Sequence, residues 1–71
     1  KQFDIIFLDP PYKERGLLEM LNNIILSKVL RTNGILIIHR HKKDEDEFPE
    51  KFKVLEEKIY GISKIIFGTF F

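Results

Sequence analysis

The sequence predicts an α/β fold: a mixed four-stranded sheet in the order 1-2-4-3, with at least one helix packed on it. Three observations lead there. Two apolar runs that do not alternate, Ile5 to Leu8 and Ile35 to Ile38, flank an amphipathic stretch. A strand, a helix and a strand in that order give a parallel pair joined by a right-handed crossover. The last two strand-like segments are separated only by Gly61-Ile62-Ser63, which makes them an antiparallel hairpin.

Residues 3 to 8 read as a strand buried on both faces, because the run is apolar without alternation. Pro10 and Pro11 end it, since neither has an N–H to give a ladder. Residues 14 to 31 read as a helix. At 3.6 residues per turn, Leu17, Leu18, Leu21, Ile24 and Ile25 share one face, and Arg15, Glu19, Asn22, Asn23 and Ser27 the other. Leu26 and Leu30 fall outside the apolar stripe, which suggests contact with a further element. Asn33-Gly34 is the expected helix stop. Residues 35 to 39 form the second strand, again read as buried. Residues 40 to 51 are expected as a charged loop, basic from Arg40 to Lys43 and acidic from Asp44 to Glu47.

Residues 53 to 60 read as a weak third strand interrupted by Glu56, Glu57 and Lys58, as suits an exposed edge. Residues 64 to 71 are strongly apolar and belong inside the sheet. Hence the fourth strand lies between the second and the third.

Composition narrows the function classes. The chain has 71 residues, enough for one domain at most, and is 44% hydrophobic and 32% charged, which fits a globular domain. The formal net charge is +1, so bulk charge does not advertise nucleic-acid binding. There is no cysteine, hence no disulfide framework, thiolate nucleophile or thiolate metal site. No apolar run reaches the ~20 residues of a membrane span. No basic leader precedes an apolar core, and the reading is a cytoplasmic protein. The chain opens on Lys1-Gln2 directly before a buried strand, so it is expected to be part of a longer domain.

Asp9-Pro10-Pro11-Tyr12 carries the chemistry. A carboxylate, two ring-stiffened residues and an aromatic ring, placed straight after a buried strand, can grip the exocyclic amine of a nucleobase and stack on its face. The plainer reading is a strand end followed by a surface aromatic. Four such residues in sequence favour the functional one.

This strand and motif, followed by helix, strand and antiparallel hairpin, resemble the C-terminal half of a Rossmann-like class I methyltransferase that uses S-adenosylmethionine. There the sheet order is 3-2-1-4-5-7-6, and the four strands here would be its fourth to seventh. The short 40 to 51 connection and the ending Tyr60-Gly61-Ile62-Ser63-Lys64 make the chain most similar to the small-subunit ribosomal RNA guanine-N2 methyltransferases, the RsmD-like family. The resemblance implies that residues 1 to 71 are a partial methyltransferase domain. It implies that Asp9 and the Pro10 carbonyl accept the hydrogens of the target amine, that Pro10 and Pro11 hold that carbonyl outward, and that Tyr12 stacks on the base. It also implies that Asp9 and Pro10 line one wall of the S-adenosylmethionine site, that ribosomal RNA is the partner, and that no metal is needed. Adenine-N6 methylation of DNA or RNA uses the same motif and stays open. So does a non-catalytic folding or assembly module. Gly16, Gly34, Gly61 and Gly68 include no G-x-G pair, so the main cofactor loop of the family has no counterpart in this chain.

Other residues point less sharply. Arg40 to Lys43 could contact RNA phosphate, but a solvated loop neutralised by the adjacent acidic run is favoured. His39 lies at the same sheet edge as Asp9 and is read as an ordinary strand-end histidine. His39 and His41 alternate across a strand and do not make a chelating pair. Phe67, Phe70 and Phe71 are read as core. The free chain is expected to self-associate through residues 3 to 8, whose outer backbone groups lack a partner.

Overall fold

The computed structural model describes residues 1–10 and 16–71. It contains β1 (Phe3–Leu8), α1 (Gly16–Ser27), β2 (Leu30–His41), β3 (Phe52–Tyr60) and β4 (Ser63–Phe70). One sheet has the order β1-β2-β4-β3, as the polarity of the segments predicted. β1 and β2 are parallel, and β4 runs antiparallel to both β2 and β3.

Burial explains the order. β4 places Ile66 and Gly68 in the interior, whereas β3 is exposed from Lys53 to Tyr60. The β3 register shifts between Val54 and Glu56, so its edge carries a bulge as well as charge. Both devices discourage pairing with another chain at that edge.

The core lies on one face of the sheet. Leu17 and Leu21 of α1 meet Leu36, Ile38, Ile66 and Phe52, and Ile6, Leu8 and Ile24 pack against them. Phe52 stacks on Phe48 at 5.0 Å and meets the Phe70 ring edge-on at 5.7 Å. Gly68 makes this possible: a Cβ there would lie 2.1 Å from the tip of the Phe52 ring.

Several expectations need correction. The helix ends at Ser27 rather than 31, because Lys28 adopts a left-handed conformation (φ 54) and its N–H bonds back to Ile24 at 3.1 Å. The chain must turn there, since Leu30 already pairs with Phe3. Leu30 packs against the core as a strand residue, and Leu26 is 78% exposed. Asn33 (φ 67) does not stop the helix; with Gly34 it sits in a register shift inside β2, where the partner of β1 jumps from Leu30 to Ile35. The expected helix start at 14 lies outside the described residues. β2 continues through Arg40 to His41, because both positions pair with β4. Finally, β1 is covered on one face only. Ile6 and Leu8 face the core, while Ile5 (61%) and Phe7 (60%) are exposed opposite α1. Among the described residues, no helix is long and apolar enough to cross a membrane.

Candidate functional site

The parallel pair β1–β2 aligns Leu8 with Ile38. The next residues along each strand are Asp9 and Pro10 on one, His39 and Arg40 on the other. Two consecutive β2 residues therefore stand beside the first two residues of the motif. Successive side chains of a strand point to opposite faces, so His39 and Arg40 reach the motif from different sides of the sheet.

On the face away from α1, His39 Nδ1 lies 3.1 Å from Asp9 Oδ1, and His39 Nε2 lies 2.9 Å from Ser63 Oγ. The Asp9 side chain is 64% exposed. It presents a carboxylate at the carboxyl edge of the sheet, tethered through one oxygen.

On the α1 face, Arg40 is buried. Its guanidinium donates from Nη1 to the Pro10 carbonyl at 3.2 Å. It grips Asp46 in bidentate fashion, Nε to Oδ2 at 3.0 Å and Nη2 to Oδ1 at 2.9 Å. Asp44 Oδ2 stands 3.6 Å from Nε. A planar fork that meets a carboxylate with two parallel bonds is the strong form of such a pair. The acidic run neutralises the basic one, as the sequence suggested, and His41 to Lys43, Glu45 and Glu47 are exposed; the buried Arg40–Asp46 pair is the departure from a solvated loop. The Asp44 carboxylate also accepts the His41 N–H at 2.9 Å, and the Asp44 carbonyl accepts Lys64 Nζ at 2.6 Å. The acidic segment thus folds back onto the ends of β2 and β4. Among the described residues, no buried side-chain nitrogen or oxygen lacks a partner.

Asp9 and Pro10 thus stand where the sequence placed them, at one sheet edge. Pro11 and Tyr12 lie outside the described residues. Sequence reasoning missed His39 as the partner of Asp9, Ser63 as the partner of His39, and Arg40 as the donor to Pro10. A signal existed: if β1 and β2 are parallel neighbours, the residues just past their apolar runs must face each other.

The glycines speak about the cofactor. A Cβ on Gly34 would meet the Arg31 carbonyl and the Leu30 side chain at 2.7 Å, and one on Gly68 would strike Phe52. Both close approaches serve packing within the protein. Among the described residues, Gly34 and Gly68 therefore do not form a glycine cradle for S-adenosylmethionine.

Comparison with known proteins places the chain. A family model described as Conserved hypothetical protein 95 matches residues 1–69. The chain belongs to that family. Relatives of this Conserved hypothetical protein 95 member include an uncharacterized methylase of Rickettsia prowazekii, 29% identical over 66 residues, covering 93% of this chain and 28% of that protein. Another is the ribosomal RNA small subunit methyltransferase D of Buchnera aphidicola, 30% identical over 59 residues, covering 83% of this chain and 31% of that protein. Among solved structures, a candidate methylase of Haemophilus influenzae superposes with a TM-score of 0.75 at 26% identity, over 93% of this chain and 41% of its own. The family member thus has the mixed α/β fold of a Rossmann-like methyltransferase, and it spans under a third of the length of the curated relatives it matches.

Proposed function

We propose that this chain is the target-facing part of a cytoplasmic, S-adenosylmethionine-dependent methyltransferase that modifies the N2 amine of guanine in small-subunit ribosomal RNA. The observation that carries the reading is the paired anchoring of Asp9 and Pro10 at the carboxyl edge of β1. A relative that acts on small-subunit ribosomal RNA supports the substrate class.

An exocyclic amine is a poor nucleophile because its lone pair is delocalised into the base. Acceptors placed at its two hydrogens favour the geometry in which that lone pair points at the methyl donor. Asp9 supplies one acceptor. The Pro10 carbonyl supplies the other: Arg40 uses one of its lone pairs, and a carbonyl has two. S-adenosylmethionine, when bound, supplies an electrophilic methyl group on a sulfonium. When the amine is methylated, Asp9 takes up the surplus proton from its nitrogen. Pro10 and Pro11 stiffen the loop, and Tyr12 stacks on a base taken out of its helix.

The whole protein is expected to supply the glycine loop that this chain lacks. Taken alone, the chain self-associates through the outer edge of β1. The outer side of β1 has no neighbouring strand in the sheet, and Phe3, Ile5 and Phe7 are exposed on the adjoining face away from α1.

The test is methylation of small-subunit ribosomal RNA by the whole protein, followed by nucleoside analysis. N2-methylguanine is the expected product. N6-methyladenine would overturn the base assignment, and no methylated base would overturn the reading.

A further inference from the structure

We propose that His39 is a positioning residue for methyl transfer: its Nδ1–H holds one oxygen of the Asp9 carboxylate and leaves the other to meet the target amine. This rests on the reading of Asp9 as the amine's acceptor.

The geometry supports it in three steps. An exposed carboxylate at the end of a strand can rotate about two side-chain bonds, so on its own it offers no fixed acceptor. Asp9 is exposed, and it is tied at Oδ1. An ionised carboxylate only accepts, so the proton of this contact belongs to His39 Nδ1. Nε2 of the neutral ring then accepts the Ser63 hydroxyl hydrogen at 2.9 Å. A hydroxyl can donate or accept, so Ser63 holds the ring whether Nε2 is bare or protonated. The ring therefore bridges three strands, with Asp9 at the end of β1, His39 on β2 and Ser63 opening β4. Such a brace keeps the free Asp9 oxygen in place before the substrate arrives.

Ser63, His39 and Asp9 also have the connectivity of a nucleophilic triad. Two observations favour positioning. The carboxylate of a triad is buried behind its histidine, whereas Asp9 is 64% exposed. In addition, Ser63 belongs to the antiparallel hairpin, where its residue pairs with Tyr60 and His41.

Two measurements test the proposal in the whole protein. The first is the 15N spectrum of the imidazoles without cofactor or RNA. The neutral His39 ring is expected as the Nδ1–H tautomer, reverting to Nε2–H in Asp9→Ala. A wild-type ring in the Nε2–H form overturns the proposal. The second is single-turnover methylation. Losing the brace in His39→Ala should slow the step about tenfold or more, with RNA and cofactor affinities unchanged. His39→Asn, whose amide N–H falls near the position of Nδ1, should restore most of the rate. His39→Gln, whose amide falls nearer Nε2, should not. Rescue by Gln but not Asn, or a wild-type rate in His39→Ala while Asp9→Ala is dead, overturns the positioning role and leaves the methylation reading standing. An inactive wild type defeats both, and that pattern is distinct. Labelling of Ser63 by a fluorophosphonate would replace positioning with nucleophilic chemistry.

Discussion

Replacing Arg40 with alanine should unfold this chain more effectively than any change on its surface. The Arg40 and Asp46 side chains are only 4% and 3% exposed. Removing the guanidinium deletes both bonds to Asp46 and the bond to the Pro10 carbonyl, and leaves the Asp46 carboxylate buried. Stranding one member of a buried pair costs about 3–5 kcal/mol. A single core in a domain below 70–80 residues supplies roughly 3–5 kcal/mol in total. The two magnitudes are equal, so the variant should be largely unfolded at room temperature. With an m-value of about 1 kcal/mol/M in urea, as suits a small domain, the midpoint should fall by about 3 M or more. Urea titration followed by far-UV circular dichroism reads this directly. A shift below about 1 M, the size expected for an exposed ion pair, would refute the burial argument. A second comparison isolates the cause. Combining Arg40→Met with Asp46→Leu removes the stranded charge, and apolar replacement of a buried pair is often neutral or better. The double variant should therefore recover most of the stability. Equal loss in single and double variants would mean that packing, not charge, sets the effect.

Other outcomes follow from the same geometry. In the whole protein, Asp9→Ala should lower the methylation rate by about 10²–10³, the usual loss of one preorganised acceptor, with cofactor affinity retained; single-turnover kinetics check it. Tyr12→Ala should weaken RNA engagement while Tyr12→Phe does not, because stacking needs the ring and not the hydroxyl; substrate titrations separate the two. The 71-residue chain alone should show no micromolar affinity for S-adenosylmethionine by calorimetry, since it has no G-x-G loop. The same chain should sediment as a dimer or larger species at high concentration, and Ile5→Lys should return it to monomer; a monomeric parent chain would refute pairing through β1.

The sequence by itself determined the element types, the strand order and the place of Asp9 and Pro10 at the end of the first strand. These follow from segregation, a local property. Charges at Glu56, Glu57 and Lys58 exclude the third strand from the middle of the sheet, and the apolar run from Ile65 to Phe67 demands that place. Leu17 and Leu21 repeat at helical spacing and so must face the core. The end of α1 was not legible in the same way. Asn33-Gly34 is a good stop signal, but Leu30 was already required beside Phe3, and long-range pairing outweighed the local preference. Nor could the apolar run of β1 show that only one of its faces would be covered. The contacts of the site belong wholly to tertiary structure. His39 and Asp9 are separated by 30 residues, as are Arg40 and Pro10, and His39 and Ser63 by 24. Nothing local distinguishes Arg40 from the exposed His41 and Lys42 that follow it. Its burial is decided by strand alternation, which continues the inward sequence of Leu36 and Ile38, and by an acidic segment that folds back to meet it. A charge enters the interior only where a partner waits, and the partner's position is a property of the folded chain.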